Sequence, residues 1–165
     1  MPIKFDITLT SKDMYRFNMY QTYSGFHGWF SVVISIVAFV LAVRSYGKVE
    51  PMYTVLYIAF GILFLVYIPI SLYLRSKHSL AASKVLSSTL HYAVGEEGFV
   101  VSQGEEKAKL PWTQIYKLVA TKNNVLVYSN RINAYVIPRE QLGDSYGALA
   151  ELATEKLEKF RLKLR

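Results

Sequence analysis

A chain of 165 residues is long enough for one modest water-soluble core with an appendage, and a second sizeable core is excluded. Its 52% apolar and 15% aromatic content exceeds that of a small soluble domain, and the absence of cysteine excludes disulfides, thiolate metal sites and a cysteine nucleophile. The formal charge of +7 is spread over flanks of apolar runs, isolated turns and the last predicted helix rather than one basic tract, which argues against a nucleic-acid partner.

Taken in order, Ile3, Phe5, Ile7 and Leu9 alternate with Lys4, Asp6 and Thr8, a period of two that predicts a half-buried strand. No other strand precedes the apolar runs, so its expected partner is the sheet of the C-terminal region. Thr10 or Ser11 then caps a helix with Asp13 in its first turn. Met14, Tyr15, Phe17, Met19, Tyr20 and Tyr23 cover too much of that helix for a single stripe. Two placements fit them: a membrane interface, with the helix running on into the first span, or packing against the C-terminal domain.

Two long apolar runs follow, separated by the polar stretch from Arg44 to Glu50. No Asp, Glu, Lys or Arg lies between Phe17 and Val43 or between Pro51 and Leu74. Each run therefore supplies the ~20 residues that a bilayer crossing needs, with spans expected at about residues 28–44 and 51–74. A structured segment precedes the first run, no small-x-small cleavage pattern follows it, and a second complete span comes directly after, so it reads as a retained span and not a signal peptide. Lys12, Arg16, Arg75, Lys77 and Lys84 flank the hairpin on the side of the termini, against Arg44 and Lys48 in the loop, which predicts that both termini are cytoplasmic; the expected location is the cytoplasmic (inner) membrane. Trp29, Phe30, Tyr46, Tyr53, Tyr57 and Tyr73 stand where interfacial belts belong. Inside the spans, Ser31, Ser35 and Gly61 are candidates for close helix packing, within the hairpin, with a second copy or with another membrane protein. Pro69 is expected to kink the second span.

The segment with Arg75, Lys77, His78 and Lys84 extends the second span into the headgroup region, where it sets topology or attracts anionic lipid. From Thr89, short strands are expected at residues 89–94, 99–102, 107–112, 115–121, 125–129 and 134–137, broken by Gly and Asn turns, as in an antiparallel meander. From Gly143 to Arg165 the pattern is helical, with Leu149, Leu152, Ala153, Leu157, Phe160 and Leu164 on one stripe. The fold class is therefore α+β: a two-helix transmembrane hairpin and a small antiparallel pleckstrin-homology-like (PH-like) barrel or meander capped by a C-terminal amphipathic helix. Its expected parts are residues 1–25 (strand and juxtamembrane helix), 26–84 (hairpin and basic exit) and 85–165 (cytoplasmic domain).

Tyr92, the run Glu96, Glu97, Gly98, Phe99, then Leu110, Pro111, Trp112, Ile115 and Lys117, and finally Ala134, Tyr135, Val136, Ile137 and Pro138 resemble the YcxB-like family of bacterial membrane proteins. That resemblance implies a cytoplasmic PH-like domain on a two-span anchor. It implies no particular activity, and no site residues are carried over from it. Trp112 and Tyr135 are expected in the core or at the barrel rim.

His27, His78 and His91 lack metal-ligand spacing, and the pairs Glu96–Glu97 and Glu105–Glu106 fall in turns where solvation accounts for them. With no nucleophile elbow or phosphate loop, neither an enzyme nor a cofactor is expected. The expected function is a membrane-anchored binding or scaffold module whose ligand is a protein segment or an anionic lipid headgroup. Its candidate surface contacts are Arg75, Lys77, Lys84, Lys107, Lys109, Lys122, Arg131 and Arg139. The alternative is a small immunity or accessory protein that acts on another membrane protein through its spans.

Overall fold

In the computed structural model, which describes residues 2–83 and 85–164 apart from the side chain of His27, the first strand finds its partner more than eighty positions along the chain. Strand β1 (Ile3–Ile7) pairs antiparallel with β2 (Leu90–Gly95), with Ile3 opposite Val94 and Ile7 opposite Leu90. β3 (Gly98–Gln103) and β4 (Glu106–Pro111) complete a four-stranded sheet in the order β1-β2-β3-β4. Direct partners share a face, so Phe5, Ile7, Tyr92, Val94, Phe99, Val101 and Leu110 all point to the core.

Pro111, with no N–H to donate, and a 3-10 turn at Trp112–Gln114 end β4 and turn the chain away. A second sheet follows, in the order β7-β6-β5-β8, from β5 (Lys117–Ala120), β6 (Asn124–Tyr128), β7 (Ala134–Pro138) and β8 (Leu162–Lys163). The expectation of a single antiparallel barrel or meander is therefore corrected in part, since the α+β class holds but the strands form two sheets and no closed barrel. Among the described residues there are two sheets, no pairing joins them, and β8 runs parallel to β5.

Helix α1 (Ser11–Ser24) is capped reciprocally: the Asp13 amide donates to Thr10 Oγ1 (3.3 Å), and the Thr10 amide donates to the Asp13 carboxylate (3.1 Å). It does not run into the first span, because Gly25 takes an extended conformation and separates it from α2 (Phe26–Ser45). Helix α3 (Pro51–Ala82) contains Pro69 in its interior. Near the C-terminus, α4 (Arg139–Leu142) and α5 (Ser145–Lys156) pack on β1, and the Gln141 side-chain amide bonds both the N–H and the C=O of Thr8 (2.8 and 2.9 Å). That covers the β1 edge of the first sheet.

The last helix is shorter than its periodicity predicts. Leu157 is extended, a 3-10 turn occupies Lys159–Arg161, and Leu162 pairs with Leu118. Leu149, Ala153 and Leu157 are buried as expected, but Phe160 and Leu164 are exposed. β5 would otherwise present an open edge, and pairing it with β8 satisfies backbone groups that another helical turn would leave bare.

The chain divides into two compact units, residues 1–17 with 77–165, and residues 18–76. Within the second, α2 and α3 are both long and apolar enough to cross a membrane. Ser31, Ser35, Ala38 and Ala42 are buried on α2, Ser35 Oγ donates to the Gly61 carbonyl (2.6 Å), and the Phe39 ring lies where a Cβ on residue 61 would sit. Large apolar side chains such as Val37, Val43, Leu63, Val66 and Ile70 face outward.

Candidate functional site

The two sheets leave a cleft where β4 of the first approaches β7 of the second. Leu90, Tyr92 and Val101 form its floor, Ala108 and Tyr135 its walls, and Leu86 one end, enclosing about 400 Å³. This lies within the range of small-ligand and side-chain pockets. Alternation places Ala108 there: it is opposite Val101 on the core face of β4, while Lys107 and Lys109 point to the opposite face. Among the described residues β4 pairs with β3 alone, so it is an edge strand whose outer backbone N–H and C=O groups have no strand partner along the cleft.

Tyr92 is held rigidly, stacked on Phe5 with ring centroids 5.3 Å apart. Burial, and secondarily repulsion from a charged Tyr135, push its pKa well above the ordinary tyrosine value, and its protonated hydroxyl is a hydrogen-bond donor. Gln103 and Glu106, directly opposite each other on β3 and β4, supply a polar rim. An apolar interior with polar groups at its edge is suited to receiving an apolar side chain whose backbone remains wet.

A tight latch ties the β2–β3 turn to the residue that follows β4. Gly98 adopts φ +139°, the Trp112 indole donates to the Gly95 carbonyl (2.9 Å), and Phe99 meets the Trp112 ring edge-on at 5.2 Å. The run Glu96-Glu97-Gly98-Phe99 and the run Leu110-Pro111-Trp112 thus meet in space, and they position β4. Glu96 also pairs with Lys156, whose hydrogen bond and charge hold the carboxyl below its usual range. That contribution is present above the ordinary carboxylate pKa and fades as pH falls through the depressed value.

The predicted basic contacts are scattered over the molecule. Lys107 and Lys109 stand together on β4, on the face away from the core. Lys122 is exposed between β5 and β6, and Arg131 lies in the β6–β7 turn. Arg139 is engaged: its guanidinium donates to the Thr121 carbonyl (3.1 Å) and lies 4.0 Å from the centre of the Tyr146 ring. Arg75 and Lys77 are exposed on α3, and Lys84 lies outside the described residues. Ser35 and Gly61 meet within the hairpin, whereas Ser31 Oγ donates to the Gly28 carbonyl of its own helix (3.2 Å). Trp112 is buried as expected, and Tyr135 is half-buried at the cleft.

Sequence reasoning missed Leu86, Ala108 and the cleft itself. One signal was available: Ala108 is the single small residue among Glu106, Lys107 and Lys109 in the charged first part of the strand.

No curated protein and no solved structure is significantly similar to the chain. The segment that contains the latch, the β4 and β7 walls of the cleft and most of α5, residues 94–153, matches the family model of the YcxB-like proteins.

Proposed function

We propose that the protein is a membrane-anchored, non-enzymatic binding module, in which the hairpin crosses the cytoplasmic membrane and a PH-like domain on the cytoplasmic side takes an extended protein segment into the β4–β7 cleft. The observation that carries this reading is an open apolar cleft beside a strand that, among the described residues, pairs along one side alone. A segment added along β4 pairs with the backbone groups of its other side and drops one apolar side chain among Tyr92, Val101, Ala108 and Tyr135. Lys107 and Lys109 on the other face of the strand favour acidic flanking residues and discourage the edge from pairing with copies of itself.

The PH-like reading is supported by the order of elements once α1–α3, which lie between β1 and β2, are set aside: four strands, a turn, three more strands, and then α4 and α5 packed on β1, with β8 added after them. Outward-facing apolar side chains along α2 and α3 support the membrane placement, because water would leave that surface unfavourably exposed. Helix α3 is 32 residues long, about 48 Å, against a hydrocarbon core of about 30 Å, so its end from Arg75 onward projects past the bilayer. Ser35 and Gly61, on which an action through the spans would rest, are used up by packing within the hairpin, which favours the cleft.

The cysteine-free chain permits a direct test of placement. In right-side-out membranes, an impermeant maleimide is expected to label Lys48→Cys and to spare Lys122→Cys; the reverse pattern puts the domain outside. For the cleft, the full-length protein in nanodiscs is panned with a random peptide library. Selected peptides are expected to carry an apolar anchor and to lose about tenfold or more in affinity for Ala108→Trp, whose indole fills the pocket. Peptides indifferent to that change would move the binding site elsewhere.

A further inference from the structure

One end of the second sheet gathers features that neither the cleft nor the latch uses. β5 begins there at Lys117, β6 ends at Tyr128, the β6–β7 turn follows, and β8 enters from the Lys159–Arg161 turn. Three large apolar side chains stand out from this end: Phe160 is 77% exposed, Ile132 68% and Tyr116 45%. Four cations surround them, Lys117, Arg131, Lys159 and Arg161, against the single carboxylate of Glu158 on the same segments.

These segments are held in place. The Arg161 guanidinium donates to the Ile115 carbonyl (3.4 Å), the Tyr116 amide donates to the Tyr128 carbonyl (2.8 Å), and Lys117 Nζ sits 4.4 Å from the centre of the Tyr128 ring. In the β6–β7 turn, Asn130 Oδ1 accepts from the amides of both Ile132 and Asn133 (2.8 and 2.7 Å), which fixes the loop tip. Exposed apolar tips ringed by cations on a preformed surface are the composition that binds an anionic lipid interface: the apolar groups enter at headgroup depth and the cations meet the phosphates.

The point at which the chain leaves this unit lies at the same end. Phe17, the last residue of its first segment, packs on Tyr128 with ring centroids 6.4 Å apart. Only ten residues separate Phe17 from Gly28, where the first apolar span begins, and most of them are helical. At a rise of about 1.5 Å per helical residue, that tether keeps this end of the sheet within a few nanometres of the bilayer in which the hairpin is placed.

We infer that the end of the second sheet formed by Tyr116–Lys117, Arg131–Ile132 and the Lys159–Arg161 turn is a docking surface for anionic phospholipid headgroups, which holds the domain against the membrane that anchors it. This rests on the placement of the hairpin in a bilayer, and the test separates the two. The full-length protein carrying Asn133→Cys with an environment-sensitive dye is placed in nanodiscs of phosphatidylcholine alone or with a third phosphatidylglycerol. A second sample carries the dye at Leu63→Cys, on the outward face of α3.

The dye at residue 133 is expected to shift to the blue in the anionic discs only, and the shift should vanish in 1 M salt, where screening falls to about 3 Å. Arg131→Glu with Lys159→Glu, both exposed, should lower the docked-to-undocked ratio about tenfold or more. A shift equal in neutral and anionic discs, or one unmoved by the double reversal, overturns the docking surface. Loss of lipid contact at residue 63 would instead overturn the membrane placement itself.

Discussion

A fragment beginning at residue 85 is expected to remain unfolded, whereas residues 1–17 joined to 77–165 through a short linker should fold cooperatively. The fragment lacks β1, and with it the burial of Phe5, Ile7 and Leu9 and the partner of the Tyr92 ring. At about 2 kcal/mol for each buried apolar side chain, the loss is about 6 kcal/mol, comparable to the whole stability of a typical domain. It also lacks α1, whose Asp13 carbonyl accepts from the buried Asn124 side chain (3.3 Å). The linker can be short because the two ends of the hairpin are adjacent: Asn18 Nδ2 donates to Ser76 Oγ at 2.8 Å. About six glycine and serine residues, reaching about 13 Å on average, suffice to replace it. Near-ultraviolet dichroism and a urea titration distinguish a sigmoidal transition in the joined chain from its absence in the fragment. A cooperatively folded 85–165 fragment would mean that the first strand is dispensable.

Gly98→Ala is the single substitution expected to do the most damage. Residue 98 sits at φ +139°, and a Cβ there would lie 2.3 Å from the Leu110 carbonyl oxygen and 2.7 Å from the Pro111 Cα. Both obstacles are backbone, so relief requires β3 and β4 to separate, which breaks the latch and moves the wall of the cleft. The expected cost exceeds about 3 kcal/mol, read as a shift of the urea midpoint in the joined domain. Gly104→Ala is the matched control. It also has positive φ, +57°, but open space around the new methyl group, and should cost only about 1 kcal/mol. Equal effects at the two positions would show that backbone conformation, and not the close approach to β4, is what residue 98 supplies.

Local chemistry was legible in the sequence where it depends on near neighbours. The alternation of Ile3, Phe5 and Ile7 announced a strand, Thr10 and Asp13 announced a cap, and the apolar runs marked both long helices. Long-range geometry was not legible. Nothing local says that the sheet breaks after Pro111, that Ala108 faces Tyr135 across a cleft, or that Arg139 lies on Tyr146 instead of in solvent. The last helix misled for a specific reason. Leu157, Phe160 and Leu164 continue a spacing of three and four residues past the true end at Lys156, so Phe160 read as core. It is in fact one of the most exposed aromatic residues, in a turn shaped by the need of β5 for a partner.

On the proposed membrane placement, the insertion of residues 18–76 between β1 and β2 would tie biosynthesis to membrane crossing. The first strand leaves the ribosome long before its partner exists, and it must stay unpaired while the hairpin is threaded. In a bilayer, β1 and β2 can meet only if an even number of crossings separates them. A chain that inserts one helix and leaves the other behind strands β1 on the wrong side and exposes Phe5, Ile7 and the edge of β2. On that placement, correctly threaded molecules are expected to become protease-resistant, and misthreaded ones to stay open to digestion because their core is incomplete.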